Sequence, residues 1–243
     1  HLLPAPVFRA VASIQAKRRL GLTATLVRED GHERDVFVLI GPKKFDLPWK
    51  ELEAQEFIAK AVCVEVRVEL DAEHMREYFR KTDKNQFRLA SENPAKTELI
   101  ARLLERLAGH QVLIIGQFLA QLELLATRFR LPLITGKLPN PKRLDLYQRF
   151  RSGEVPVLLV SKVANFAVDL PDADVAIQIS GTFGSRQEEA QRLGRILRPK
   201  AGHNRAWFFS LVSADTKEEL YAQNRKRFLL EQGYQYQVLR GDA

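Results

Sequence analysis

From residue 98 onward, short aliphatic runs alternate with stretches of helical pattern, and this alternation constrains the fold more than any other feature. The run at 112–115 consists of four aliphatic residues followed by Gly116, a pattern typical of a strand buried on both faces. Similar runs lie at 131–134, 157–160, 175–179 and 206–212, and helical patterns lie at 98–107, 118–129, 142–151, 186–197 and 216–231. The alternation predicts right-handed β-α-β units, and therefore an α/β fold with a central parallel sheet flanked by helices on both faces.

The first hundred residues follow a different pattern. Apolar and polar residues alternate at 62–70, which predicts a half-buried strand with a period of two. Residues 71–94 are highly charged and have few apolar anchors, so we expect a mobile helical excursion there. Residues 2–19 have a helical pattern that leads to a turn and strand at 20–25. A sheet that contained this last strand would need neighbours that the chain does not obviously provide.

The composition excludes several classes of protein. With 243 residues, of which 45% are hydrophobic, the chain can bury a full core, which excludes a disordered or collagen-like protein. The single cysteine, Cys63, cannot form an internal disulfide or a cysteine-rich zinc site, so we expect a reducing compartment and no metal site of the chain's own. No apolar run approaches the ~18–20 residues that span a bilayer, so we expect no membrane partner. The predicted location is intracellular: cytoplasmic, nucleoid-associated or nuclear.

The chain is basic, and its positive charge is clustered. It has 38 Lys and Arg against 30 Asp and Glu, a net charge of +8 that suits a polyanionic partner. Residues 136–151 hold five cationic side chains against Asp145 alone, and residues 191–205 hold five and no acid. Such clusters are equally typical of a solvated surface, so the charge alone leaves both interpretations open.

Polar residues directly follow four of the predicted strands. In a doubly wound sheet, ligands bind at the carboxyl ends of the strands, where backbone amides bind phosphate well. The positions are Gly116-Gln117, Thr135-Gly136-Lys137, Ser161-Lys162 and Ser180-Gly181-Thr182. Ordinary strand-to-helix turns also favour Gly, Ser and Thr, but four such turns at one sheet edge, beside the basic residues 136–151, favour contact with a phosphate backbone.

One predicted helix carries arginines without acidic neighbours. At about 100° per residue, Gln191, Arg195 and Arg198 form a stripe opposite the apolar face of this helix. Glu188 can pair with Arg192 one turn later, whereas Arg195 and Arg198 have no carboxylate at i±3 or i±4. Two such guanidinium groups can bind a triphosphate across a cleft, although a solvated basic face is the alternative.

The same helix resembles a known helicase motif. Residues 191–198 read QRLGRILR, which is similar to the Q-x-x-G-R-x-x-R form of the last motif of superfamily 2 helicases. Residues 21–25 resemble motif III, residues 112–117 motif IV, residues 135–153 motif IVa and residues 161–171 motif V. Arg28-Glu29-Asp30 matches the RED signature of the XPB DNA helicases, and the resemblance to that family covers nearly the whole chain.

The resemblance implies an ATP-driven 3′→5′ DNA helicase or translocase, acting in nucleotide excision repair and in transcription-linked DNA opening. Residues 61–243 would form the second RecA-like domain, with a short helical insertion at about 71–94. Residues 1–60 would be the C-terminal remnant of the preceding helicase domain, with motif III, the RED motif and a connector.

The resemblance also implies a role for each matched residue. Arg195 and Arg198 would contact the γ-phosphate of ATP with support from Gln191, and Asp169 and Gly194 would lie at the nucleotide. The DNA backbone would be held by Gln117, Thr135, Gly136, Lys137, Ser161 and Lys162; nucleotide state and domain closure would be coupled by Thr23 and Thr25; and strand separation would use Arg28, Glu29 and Asp30.

The sequence lacks one half of an ATP site. It has no G-x-x-x-x-G-K-[ST] phosphate loop, and His1 resembles the last letter of a DExH box. We therefore expect a missing N-terminal half to complete the site for ATP with Mg²⁺, and no ATPase activity from this part alone. The expected partners are DNA, the protein's own N-terminal helicase domain, and repair or nuclease proteins. The alternative function is a non-catalytic RecA-like module that docks on DNA or on such proteins.

Overall fold

The computed structural model describes residues 13, 15–23, 33–161, 173–182, 185–196 and 204–241. The strands in these ranges are β1 (Lys60–Val68), β2 (Val112–Gly116), β3 (Leu133–Ile134), β4 (Val157–Ser161), β5 (Val175–Gln178), β6 (Arg205–Ser213) and β7 (Tyr236–Arg240). The helices are α1 (Glu33–Ile40), α2 (Trp49–Ala54), α3 (Ala72–Arg80), α4 (Asp83–Ser91), α5 (Pro94–Arg106), α6 (Leu119–Phe129), α7 (Asn140–Arg151), α8 (Arg186–Ile196) and α9 (Lys217–Glu231).

The described strands form one parallel sheet in the order β3-β4-β2-β5-β6-β1-β7. One face is covered by apolar residues of α7, α8 and α9, such as Phe150, Leu193 and Leu229. The other face is covered by residues of α5 and α6, such as Ile100 and Leu122. The prediction of a central parallel sheet with helices on both faces is confirmed, because aliphatic runs such as β2 are buried at every position.

The prediction of a half-buried first strand was wrong. Both faces of β1 are covered: Cys63 packs in the cluster with residues of α8 and α9, and Val64 packs in the cluster with residues of α5. Even Cys63 and Glu65 are only 1% and 2% exposed. Glu65 is tolerated there because its carboxylate pairs with Lys226 and Arg67. Alternation of residue type therefore reflected a buried acid with cationic partners, and not a solvated face.

Residues 71–94 contain α3 and α4, which pack beside the carboxyl end of β1. The Asp71 carboxylate caps α3 by accepting the backbone N–H groups of residues 73 and 74. Phe87 and Ala90 of α4 are fully buried. The few apolar residues of this charged stretch thus anchor it to the sheet domain.

The N-terminal region differs from its sequence pattern. Residues 15–23 form neither the expected end of a helix nor a strand, and the remainder of those two patterns lies outside the described residues. Helix α2 was not predicted. Its Trp49 is 8% exposed and packs edge-on against Tyr234, so α2 adds to the core beneath α9. Within the described ranges, no helix is long and apolar enough to cross a membrane.

Candidate nucleic-acid and nucleotide interfaces

The carboxyl ends of β3, β4, β2 and β5, with the polar residues described there, lie side by side at one end of the sheet. These strands are consecutive in the sheet order, and Gly116 at the end of β2 is in register with Ser161 at the end of β4. With strands about 4.8 Å apart, the four ends make a row of about 14 Å. A single DNA strand has one phosphate per ~3.4 Å of axis, so the row has the length of about four phosphates.

Buried polar atoms at this edge are left without partners among the described residues. Ser161 is 2% exposed, and its hydroxyl oxygen makes no hydrogen bond in that part of the chain. Gln117 Oε1 also makes no hydrogen bond to the described residues. The backbone N–H of Gln117 donates to Ser180 Oγ at 2.8 Å, which joins two of the strand ends. The ends of β2 and β5 are therefore held together by a hydrogen bond, and polar side chains lie at the ends of β2 and β4.

The loop between β3 and α7 is held in place by hydrogen bonds from Arg143 and from its own backbone. Arg143 donates from Nη2 to the carbonyl oxygens of Thr135 and Leu138, at 3.3 and 3.1 Å. The backbone N–H of Lys137 donates to Thr135 Oγ1 at 3.3 Å. Gly136 and Lys137 are exposed. The structure therefore presents Gly136 and the Lys137 ammonium group to solvent at the end of the row.

The basic residues at 136–151 are divided between the carboxyl and the amino ends of the sheet strands, which the sequence did not predict. Helix α7 runs antiparallel to the strands, and its 12 residues span about 18 Å. Lys142 and Arg143 lie in its first turn, at the edge with Lys137. Arg149 lies at the opposite end, where it pairs with Glu154 at 2.7 Å. Only part of this positive charge is therefore available beside the strand ends.

Helix α8 has an apolar inner face and an accessible outer face. Ala190, Leu193 and Ile196 are at most 1% exposed, as the helical pattern predicted. Gly194 is exposed, and a Cβ atom placed on it would lie 3.7 Å from Trp49 of α2. The helix positions of Gln191 and Arg195 are described but their side chains are not. The outer face of α8 therefore adjoins α2 and the residues that lead back toward the N-terminus.

Arg192 lies on the buried side of α8. It is 1% exposed, and its guanidinium donates to Gln178 Oε1 at the end of β5. The side chain of Glu188, its expected partner, is outside the described residues. The helical pattern could not show this, because a polar partner on a neighbouring strand makes a buried arginine tolerable at a position that looks solvated.

Several predicted site residues lie outside the described residues: Thr25, Arg28, Glu29, Asp30, Lys162, Asp169 and Arg198. Thr23 is described and exposed, in a segment without regular structure. Among the described site residues, the structure brings Gln117, Thr135, Gly136, Lys137 and Ser161 to one edge of the sheet. It places Gln191, Gly194 and Arg195 together on α8.

Sequence reasoning missed a set of buried polar residues beneath these surfaces. A polar residue within an aliphatic strand was an available signal, since Gln178 interrupts the buried run of β5. The charged members could not be found this way, because they come from helices α5, α8 and α9 that are far apart in the sequence. The set comprises Lys96, Gln178, Glu189, Arg192, Glu218 and Arg225.

The parallel sheet and its strand order define a RecA-like domain of the kind that forms the C-terminal part of helicases. Solved structures share this fold: the C-terminal domain of the DEAD-box protein Dbp5 has a TM-score of 0.58 at 12% identity, covering 76% of this chain and 93% of that one. The E. coli DEAD-box protein SrmB has a TM-score of 0.51 at 20% identity, covering 74% and 89%. Residues 52–242 match the ERCC3/RAD25/XPB C-terminal helicase family. The chain belongs to this family, and the predicted resemblance is confirmed.

Curated relatives are similar over essentially the whole chain. The DNA 3′-5′ helicase XPB of Kineococcus radiotolerans is 56% identical over all of it, and that of Mycobacterium tuberculosis is 54% identical. The general transcription and DNA repair factor IIH helicase/translocase subunit XPB/SSL2 of Saccharomyces cerevisiae is 39% identical over 98% of it. The chain spans 43%, 44% and 29% of the length of these three relatives.

Proposed function

We propose that the chain is the C-terminal part of an ATP-dependent 3′→5′ DNA helicase or translocase that opens DNA in repair or in transcription. The observation that carries the proposal is helix α8, whose buried apolar face leaves the positions of Gln191, Gly194 and Arg195 on the accessible side. The names of the relatives support it, since they are DNA 3′-5′ helicases and a transcription and repair factor subunit.

The nucleotide contacts are assigned to α8 and its surroundings. An amide and two guanidinium groups fit the oxygen atoms of a triphosphate, because a guanidinium presents several N–H donors in a rigid fork. Arg195 and Arg198 would offset the charge that develops on the transferred phosphoryl group, and Gln191 would support them. Asp169 and Gly194 would contact the nucleotide. Bound ATP with Mg²⁺ would supply the bond whose hydrolysis drives movement, at a site completed by an N-terminal domain outside this chain.

The DNA contacts are assigned to the row of strand ends. Gln117, Thr135, Ser161 and the backbone amide of Gly136 would donate to phosphate oxygens of one strand, with Lys137 and Lys162 adding charge. Such contacts read the backbone and not the bases, so binding would tolerate many sequences. These residues come from strand ends and loops and the nucleotide contacts from α8, so DNA and nucleotide would be bound by different residues.

The remaining assignments concern the N-terminal part of the chain. Residues 1–60 would be the remnant of the first helicase domain with its connector, and residues 61–243 the second domain. Thr23 and Thr25 would couple nucleotide state to closure, and Arg28, Glu29 and Asp30 would act in strand separation. The protein would act where DNA is, in the nucleoid or the nucleus, with its own first domain and repair proteins as partners.

Arginine substitution in the complete gene product tests the proposal. Arg195→Ala and Arg198→Ala should each lower the kcat of DNA-stimulated ATP hydrolysis by about 10³-fold, the low end of the range for arginine fingers. DNA affinity should stay within about two-fold of wild type, because none of the assigned DNA contacts comes from α8. Arg227→Ala, at an exposed position of α9, is the control and should retain wild-type turnover. Undiminished kcat in both finger variants would reject the finger role, whereas no ATP hydrolysis by the wild-type product with DNA would favour a docking module.

A further inference from the structure

A cluster of buried polar side chains joins α8 to three other elements. Gln178, Glu189, Arg192 and Arg225 are each at most 2% exposed, and Tyr236 of β7 reaches them from the edge of the sheet. We call these five residues the polar cluster. Two of them, Glu189 and Arg192, lie on successive turns of α8. The others come from β5, α9 and β7.

The hydrogen bonds of the polar cluster converge on α8. Gln178 accepts from Arg192 and donates from Nε2 to Glu189 Oε2 at 2.9 Å. The other oxygen of Glu189 accepts from the Tyr236 hydroxyl at 3.3 Å. Arg225 Nε lies 3.5 Å from Glu189 Oε2. Both turns of the helix are therefore tied by hydrogen bonds from Gln178 and Tyr236, and Arg225 adds an ion pair to Glu189 that is not a hydrogen bond among the described residues.

Arg225 also supports the loop that leads from β5 into α8. Its Nη1 donates to the carbonyl oxygen of Thr182 at 2.9 Å. Gly181 lies directly on the guanidinium, and a Cβ atom there would come within 2.6 Å of Nη1. Any other residue at position 181 would displace Arg225. Only glycine is small enough for this close approach.

The charges of the polar cluster are costly, and stability alone is a poor reason for them. Arg192, Arg225 and Glu189 are three charged side chains that are each at most 2% exposed, and Arg225 lies 3.5 Å from the Glu189 carboxylate. Apolar residues of similar volume often replace buried ion pairs without loss of stability. Directional bonds can hold α8 in one rotational orientation about its own axis, which apolar packing alone does not do.

We propose that Arg225, with the polar cluster, is a positioning residue that fixes the rotation of α8 and so the placement of Arg195. The inference rests on the proposed function. A side-chain tip lies about 5–6 Å from a helix axis, so a rotation of about 20° would shift it by about 2 Å. A misplacement of 1 Å can lower a rate by about 10²-fold. Arg225 therefore acts on turnover through α8, without touching the nucleotide.

The experiment uses ATP hydrolysis by the complete gene product. Arg225→Lys keeps the buried positive charge but cannot hold Thr182 and Glu189 together, since it lacks the guanidinium fork. We expect kcat to fall by at least about 10-fold, with the KM for ATP within about two-fold of wild type. Arg227→Lys, on the exposed side of the same helix, is the matched control and should not change kcat. Wild-type kcat in a folded Arg225→Lys protein would overturn the inference.

A double variant separates positioning from a general loss of structure. Because Arg225 acts through Arg195, the Arg225→Lys/Arg195→Ala protein should be no slower than Arg195→Ala alone. If the fold-losses of kcat in the two single variants multiplied in the double variant, Arg225 would act independently of Arg195, and the inference would be overturned. A loss in Arg195→Ala without a loss in Arg225→Lys would overturn this inference and leave the proposed function intact, whereas wild-type kcat in Arg195→Ala would overturn both.

A milder variant covers the case in which Arg225→Lys does not fold. Tyr236→Phe removes one donor to Glu189 and keeps the ring, which lies partly at the surface. We expect a few-fold loss of kcat, an unchanged KM, and again no further loss on an Arg195→Ala background. A kcat equal to that of wild type in Tyr236→Phe would count against the positioning role.

Discussion

Replacing Lys96 with methionine would test how the interior beneath the strand ends is stabilised. Lys96 of α5 is fully buried, and its Nζ lies 2.7 Å from Glu218 Oε2 of α9 and 3.1 Å from the carbonyl oxygen of Ile179. The same carboxylate oxygen accepts the backbone N–H of Ser213 at 2.9 Å. The ammonium group thus joins α5, α9 and the residue after β5.

The expected loss of stability follows from the charge that would remain. Lys96→Met keeps the length of the side chain but leaves the Glu218 carboxylate buried without its cation, which costs about 3–5 kcal/mol. For a domain of this size, each kcal/mol lowers the Tm by ~2–4 °C, so we expect a decrease of about 6–20 °C. Thermal and urea unfolding of the 243-residue chain at pH 7, followed by circular dichroism, would measure it.

The matched control is the surface ion pair of Lys217 and Asp83. These side chains are 39% and 84% exposed, so Lys217→Met should cost less than about 1 kcal/mol. Glu218→Gln added to Lys96→Met should restore part of the loss, because neither position of this pair then carries a charge. If Lys96→Met cost no more than Lys217→Met, or if the double variant were simply additive, the reasoning would be refuted.

The pH dependence of unfolding provides a second readout. Burial lowers the pKa of Lys96 below its usual value, and the charge of Glu218 opposes the shift. Between the folded pKa and the unfolded value of about 10.4, the unfolded chain binds more protons, so the free energy of unfolding rises with pH. Glu218→Gln lowers the folded pKa further. The difference in free energy of unfolding between wild type and Glu218→Gln should therefore become smaller as the pH rises toward about 10.4.

Two further predictions concern the surface charge and the cysteine. DNA binding should weaken with salt, and Lys137→Ala or Lys142→Ala should each reduce the slope of log K against log salt by about one. Arg149→Ala, at the opposite end of the sheet, should leave the slope unchanged. Equal effects of all three substitutions would contradict the division of the basic residues 136–151 between the two ends of the sheet. Burial raises the pKa of Cys63 to about 12. The thiolate fraction at pH 8 should therefore be roughly 10³-fold below that of a free cysteine. A disulfide reagent should titrate this one thiol only after the protein is denatured. Rapid reaction of the native protein would refute the burial of Cys63.

The sequence was informative where local pattern and fold agreed. Unbroken aliphatic runs such as β2 predicted strands covered on both faces, and the inner face of α8 followed from the spacing of its apolar residues. It was uninformative where distant side chains meet. The alternation in β1 looked half-solvated because Lys226, the partner of Glu65, lies far along the chain. The contact of Arg192 with Gln178 on another element was not predicted for the same reason, and the direction of α7 separated cations that are neighbours in sequence.

The position of β1 in the sheet has a consequence for the order in which the protein can fold. Lys60 pairs with Arg205 and Cys63 with Tyr236, so both neighbours of this early strand are near the other end of the chain. On the ribosome, β1 must wait with two unpaired edges until almost all of the chain has emerged. Contacts of such long sequence separation form slowly. The apolar residues of β1 would meanwhile be exposed to other chains, which makes this strand the segment most in need of a chaperone during synthesis.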